Sequence, residues 1–201
     1  DKNLRLRQLN EALQNKNVRV LCTTPLNLSI VCMLCANEEY HTISNRTELY
    51  LTVHEFLLKK ACKRLEKSRE EITKCLLLPL YKLSFDAYRG DKVSLRENQV
   101  RAECENPELI CQAGYLVKKV KMSRLQEAGV RYSYTHKTFL EFWAAMHVTM
   151  TPAEFGKWYF KKDHVDKSLN TFISELQRPE QIALGMLDHK DFLPMPRVLR
   201  Y

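Results

Sequence analysis

The feature that most constrains the fold is a junction near residue 135, where a strand pattern ends and an amphipathic helix begins. Upstream, residues alternate from Val130 to Tyr134, as in a strand with one buried face. Downstream, large apolar residues recur at intervals of three and four, which predicts one buried helix face. These helix residues are Phe139, Phe142, Trp143, Met146 and Met150.

A single histidine, His136, stands at this junction. Thr138 and Glu141 behind it fit a capping box, in which each side chain bonds the other residue's backbone N–H. A helix start also offers free backbone donors and the positive end of the helix dipole, which suits a phosphate. The residues alone leave two roles open for His136, a structural histidine that packs and bonds locally or a ligand-binding one.

The order of residues from His136 onward resembles a motif of a known family. His136, Thr138-Phe139, Glu141-Phe142 and Ala144-Ala145 are similar to the winged-helix segment of the NACHT-type NLR proteins, nucleotide-switched ATPases (STAND class) of animal innate immunity. The resemblance implies that His136 contacts the β-phosphate of bound ADP and holds the closed, inactive form.

The composition indicates a mainly helical globular chain. Among 201 residues, 45% are hydrophobic, 28% are charged and only five are glycine. The seven cysteines are odd in number and mostly lie in apolar helical contexts, which suits a reduced, intracellular protein. Cys32 and Cys35 form a C-x-x-C, but no second pair with zinc spacing follows, so we expect packing and no metal site. We expect a cytoplasmic protein without a membrane span.

The first segment, residues 1–40, is predicted to be helical. Pro25 precedes an apolar helix and fits the first helical turn, where a missing N–H costs nothing. Thr24-Pro25-Leu26 is also similar to the small helical domain of NACHT proteins, which implies that the segment is the C-terminal part of that domain and that Pro25 packs on adenine. Both roles stay open for Pro25.

The second segment, residues 41–150, follows the order of a winged helix. Thr47 is a plausible N-cap for a long amphipathic helix, and a helix over residues 72–88 should be kinked or divided at Pro79 and end before Gly90. Ser94 to Glu97 fits a second capping box and predicts a short helix start. A helix from Pro107 to Gly114, two strands and an intervening wing over residues 123–129 complete the order.

The third segment, residues 151–201, is predicted to hold two further helices and to be the truncated start of the second helical domain of such a protein. The predicted fold is therefore mainly α with a small β-hairpin: a helical segment, a winged helix and a helical segment. The chain begins without methionine, and we expect it to be a fragment.

Catalytic machinery for ATP hydrolysis is missing from the sequence. The Gly156-Lys157 pair is followed by Trp158, where a P-loop needs Ser or Thr, and Thr151 stands in place of the first glycine. We therefore expect no enzyme and no catalytic residue in this chain. No local signature selects a Cys–His pair either.

The resemblance implies a regulatory lid on ADP or ATP. Its partner would be a nucleotide-binding NACHT domain upstream in the same parent protein, and the parent would self-associate after nucleotide exchange.

The alternative is a winged-helix nucleic-acid-binding module, because residues 41–150 hold +6 of the net charge of +8. The basic residues around the hairpin are Lys118, Lys119, Lys121, Arg124 and Arg131. The helix from Pro107 carries Glu108 and no basic residue, which disfavours a nucleic-acid partner.

Overall fold

The computed structural model describes residues 2–41, 43–121, 129–151, 153–154, 156 and 167–176. Within these residues the chain is mainly helical and carries one small antiparallel sheet. The predicted fold class is therefore confirmed. The chain divides into two compact units, residues 1–59 and 60–201. The predicted bounds of 1–40, 41–150 and 151–201 stay predictions.

The first unit consists of three helices and the beginning of a fourth. Helix α1 covers Lys2–Gln14, α2 covers Lys16–Leu21 and α3 covers Pro25–Ala36. The Asn15 side chain accepts from two backbone N–H groups of α2, so it both ends α1 and starts α2. Helix α1 packs against α2 and α3.

Helix α4, Arg46–Leu65, begins one residue before the predicted cap. The Asn45 side chain accepts from the Glu48 backbone N–H at 2.9 Å, and the Glu48 carboxylate accepts from the Ser44 N–H at 2.6 Å. Thr47 is fully buried inside the first turn. Thr47 as N-cap was wrong, because Asn45 has a side-chain oxygen placed two residues earlier.

The helix predicted over residues 72–88 is divided, as expected from its proline. Helix α5, Arg69–Ile72, leads into a π-helical turn at Thr73–Leu77, and α6 follows at Leu78–Arg89. Pro79 is in the first turn of α6, where a missing backbone N–H removes no intrahelical hydrogen bond. The π turn changes the register of the helix just before this residue.

The end of α6 is a Schellman-type turn centred on Asp91. Lys92 N donates to Ala87 O at 2.9 Å and Asp91 N donates to Tyr88 O at 3.0 Å. Asp91 has φ of 49°, whereas Gly90 has φ of −88°. The left-handed position therefore lies one residue after the predicted glycine.

A three-stranded sheet and two short helices follow. Their bounds are β1 Ser94–Arg96, α7 Glu97–Glu103, α8 Pro107–Gln112, β2 Val117–Lys121 and β3 Gly129–Ser133. The strand order is β1-β3-β2, antiparallel throughout. The elements follow in the order helix α6, strand β1, helices α7 and α8, and the β2–β3 hairpin. Most of the predicted wing lies outside the described residues.

Strand β1 corrects the predicted helix start at Ser94. Ser94, Leu95 and Arg96 pair with β3, and the helix begins only at Glu97. Leu95 is buried, and the Gln99 side chain accepts from the Arg96 N–H at 3.0 Å. A three-residue strand is too short to show an alternating pattern in the sequence. Only its pairing with β3 identifies these residues as a strand.

The last described helices are α9, Lys137–Met150, and α10, Lys167–Leu176. Helix α9 packs against both α6 and α10. Its predicted apolar face is confirmed, because Phe142, Trp143 and Met146 are at most 1% exposed. The further helix expected near residue 184 lies outside the described residues.

Candidate functional site

His136 is the N-cap residue of α9. Its backbone is extended, with φ of −154° and ψ of 150°, and its exposed side chain folds back over the helix start. Nδ1 accepts from the Thr138 backbone N–H at 3.2 Å and lies 2.9 Å from the Thr138 hydroxyl. The ring thus satisfies one of the orphan donors of the first turn.

This geometry corrects the predicted capping box. Thr138 lies inside the helix as its second residue, and the N-cap is His136. Instead Glu141 is 7% exposed, and its carboxylate accepts from the Ser168 hydroxyl of α10 at 2.6 Å. A buried carboxylate needs donors, and α10 supplies one that local sequence does not indicate.

The position of His136 is fixed by Tyr134, two residues earlier. Tyr134 is buried, and its hydroxyl lies 3.1 Å from Ser84 Oγ on α6. Since the Ser84 hydroxyl donates to Leu80 O at 2.7 Å, Tyr134 is the donor in this pair. Burial raises the pKa of Tyr134 well above its ordinary value. The strand end is therefore anchored to α6 immediately before the cap.

The helix below His136 is held by an aromatic cluster around Trp143. The Trp143 ring stacks on Phe139 at 5.4 Å, meets Tyr115 edge-on at 5.4 Å and lies 5.9 Å from Tyr134. Trp143 is 1% exposed. Such edge and offset contacts are the favoured aromatic geometries, so the cluster makes the N-terminal half of α9 a rigid support.

The electrostatics of the helix start favour an anion. With Nδ1 occupied as an acceptor, the ring's own proton is on Nε2, which forms no hydrogen bond to a described residue. The dipole of a 14-residue helix adds partial positive charge at this end. Lys137 Nζ is nearby on the chain, 3.8 Å from the exposed Asp91 carboxylate. The arrangement can donate one hydrogen bond to a phosphate oxygen.

Pro25, the second predicted site residue, is the first residue of α3 and is exposed. The Thr24 hydroxyl accepts from the Asn27 N–H at 3.4 Å, and Ser29 donates to the Pro25 carbonyl at 2.9 Å. Its role at the helix start is confirmed, and its contact with adenine stays a prediction. Pro25 lies in the first unit and His136 in the second.

The cysteines offer little to a nucleophile or metal hypothesis. Burial raises the pKa of the thiols of Cys22, Cys35 and Cys111, and that of Cys104 to about 12. A raised pKa favours the unreactive thiol over the thiolate. No group of three potential metal-ligating side chains occurs among the described residues.

The basic hairpin is partly neutralised by the helix predicted to read nucleic acid. Lys118 Nζ lies 2.5 Å from Glu108 Oε1 of α8, and the Tyr132 hydroxyl donates to the same oxygen at 3.4 Å. This pairing raises the pKa of Lys118 and lowers that of Glu108. The sequence places Lys118 in a basic surface, but its partner on α8 follows only from the folded chain.

An open cleft of about 580 Å³ lies between the π turn and the end of α9. Lys74, Leu78 and Pro79 line one side, and His147 and Met150 line the other. The His147 ring lies 5.2 Å from that of Phe85. Its pKa is held below the ordinary value mainly because partial burial disfavours the charged ring. Nearby charges modify this effect: Asp86, Glu154 and Glu103 raise the pKa and Lys82 lowers it.

The depressed pKa of His147 predicts acid sensitivity. Because the folded pKa lies below the unfolded value of 6.5, the unfolded state takes up the proton first as pH falls. The stabilising effect of the neutral ring is complete above about pH 6.5 and is lost below it. We expect His147→Phe, which keeps the ring contact with Phe85, to flatten this loss in urea denaturation. Parallel pH profiles for both proteins would contradict the prediction.

None of the helices in the described part of the chain is long and apolar enough to cross a membrane. No protein-family model matches the sequence, and a search of curated proteins also returns no match.

Proposed function

We propose that this chain is the regulatory, nucleotide-sensing part of a NACHT-type NLR protein, an innate-immune signalling NTPase. It would act as a lid over ADP and control the change from a closed to a self-associating form. The chain itself would carry out no catalysis. The parent protein would be cytoplasmic and would act as a slow ATPase switch, using an upstream nucleotide-binding domain in the same chain.

The observation that carries the proposal is the orientation of the His136 ring. Capping through Nδ1 leaves Nε2–H as an outward donor at the positive end of α9. A hydrogen bond to a phosphate would be charge-assisted through its acceptor, even with a neutral ring. The motif resemblance independently implies that the same residue contacts the β-phosphate of ADP.

The switch then follows from the loss of one contact. Bound ADP accepts from His136, and the exposed Pro25 ring packs on the adenine, so the lid is held against the nucleotide-binding domain. Exchange of ADP for ATP removes the favourable contact, the lid rotates as a rigid body and the parent self-associates. A hydrogen bond to a charged group is worth about 1.5–3 kcal/mol. That amounts to roughly a ten- to hundredfold shift between the two forms.

Replacing His136 in the full-length parent tests this proposal. We expect His136→Ala to release ADP about ten- to a hundredfold more readily and to increase basal self-association. The measurements are the nucleotide content of the purified protein and its mass by light scattering. Normal ADP content together with a monomeric mutant would reject the proposal.

His136→Asp separates the phosphate contact from helix capping. Aspartate is a good N-cap, so the helix start is kept, but it carries no donor and repels a phosphate. We therefore expect ADP loss at least as large as for His136→Ala, with a smaller loss of folding stability. If the Asp variant retains ADP like the wild type, the effect of His136→Ala comes from capping alone.

A further inference from the structure

Three basic side chains form a row across the sheet. Arg96 on β1 lies opposite Arg131 on β3, and Arg131 lies opposite Lys119 on β2. Residues in direct cross-strand register point to the same face, so these three residues are neighbours. All three are exposed. We call them the cationic row.

The two faces of the sheet differ in their charge balance. Tyr132 and Lys118 belong to the other face, where Lys118 pairs with Glu108 of α8. Glu97 on α7 pairs with Arg101 and also acts on Lys118. By contrast, no member of the cationic row forms an ion pair with any residue that the structure describes. Among the residues that the structure describes, the acidic side chains around the sheet thus compensate one face only.

An uncompensated row of this kind works against folding. Like charges directly opposite each other on neighbouring strands are destabilising. Arg131, at the centre, has a cation on both sides, and the next position along β3 is the small polar Ser133. An anionic partner that covers the row would relieve this repulsion.

We propose that the cationic row docks the acidic face of a helix belonging to a partner protein. Cross-strand neighbours have Cβ atoms about 4.5–5.5 Å apart. Residues at i and i+4 of a helix are about 5–6 Å apart, so carboxylates at i, i+4 and i+8 match the row. In an extended segment, side chains on one face are about 6.8 Å apart, which is wider than the spacing of the cationic row.

The rest of this face also fits a protein rather than a nucleic acid. Its other positions include Ser94 and the exposed Val117, which offers an apolar contact, whereas Ser133 is buried. No sheet residue on this face is aromatic, so bases would find no stacking platform. Helix α8 cannot serve as a basic reading helix either, because Glu108 is its charged residue.

The test uses the 201-residue chain and a fluorescent alanine-based peptide helix with glutamates at i, i+4 and i+8. We expect saturable binding, and at least about tenfold weaker binding by the triple variant R96Q/R131Q/K119Q. The matched control K63Q/K74Q/K92Q removes the same charge from exposed lysines elsewhere in the second unit and should change affinity less than about twofold. Circular dichroism checks the fold of each variant. If R96Q/R131Q/K119Q does not fold, the single variant Arg131→Gln takes its place.

Several outcomes would overturn the proposal. They are an absence of peptide binding, equal weakening by both triple variants, and equal affinity for a peptide with its glutamates spread around the helix. Tighter binding of duplex DNA or single-stranded RNA than of the peptide, lost in R96Q/R131Q/K119Q, would assign the row to nucleic acid instead.

Discussion

Replacing Trp143 by alanine is expected to lower the free energy of unfolding by about 3–5 kcal/mol. The ring is 1% exposed and contacts three other aromatic rings, so the substitution leaves a cavity that rigid neighbours cannot fill. A loss of this size is a large fraction of the stability of a typical domain. Urea denaturation followed by circular dichroism measures it.

Trp143→Phe is the matched control. The Trp143 Nε1 atom is buried and has no hydrogen-bond partner among the described residues, so phenylalanine removes no hydrogen bond. It keeps most of the apolar ring, and we expect a loss of less than about 1.5 kcal/mol. A loss close to that of alanine would show that the indole N–H or the full ring volume is essential, contrary to this expectation.

The cluster around Trp143 also explains why His136 is placed so firmly. Tyr115 precedes β2, Tyr134 follows β3, and both contact the same indole. The helix that His136 caps is thus packed against residues that flank both strands of the hairpin. Loss of the indole should loosen the helix start, so Trp143→Ala should also weaken any function of His136.

Helix periodicity made α9 predictable from sequence, whereas its cap was not. The apolar spacing from Phe139 to Met150 is a property of the segment itself. The role of Glu141 depends on Ser168, 27 residues further along the chain, and no local rule contains that contact. The same Thr–Glu spacing also fits two residues inside a helix. In the folded chain Glu141 is buried and bonded to Ser168.

The sheet shows the same limit. Its hairpin alternates clearly, but β1 has three residues, and its register with β3 exists only in the folded chain. Arg96 was therefore missed as a neighbour of Arg131.

The helix start at Pro25 could be predicted from local chemistry, since Thr24 is a good N-cap residue and proline is favoured at the first helical position. A contact with adenine depends on a partner domain, which the residues of this chain do not encode.

Phe172→Ala is expected to have the second large effect, by detaching α10 from α9. Phe172 and Phe142 are both fully buried, and their rings meet edge-on at 5.5 Å. Together with the bond from Ser168 to Glu141, this contact joins the His136 helix to the next helical segment. Removing the ring should cost about 3–5 kcal/mol and expose the backbone of residues 167–176 to hydrogen exchange.

A double-mutant cycle distinguishes a specific ring pair from general loss of core volume. Phe142→Ala and Phe172→Ala should couple by about 0.5–1.5 kcal/mol, whereas Phe172→Leu should retain much of the burial and lose the edge-on contact. Hydrogen exchange of α10 follows the local opening, and urea denaturation gives the energies. Additive costs with unchanged protection of α10 would mean that this helix is held elsewhere. If α10 opens while α9 stays protected, the ring pair is what holds α10 against α9.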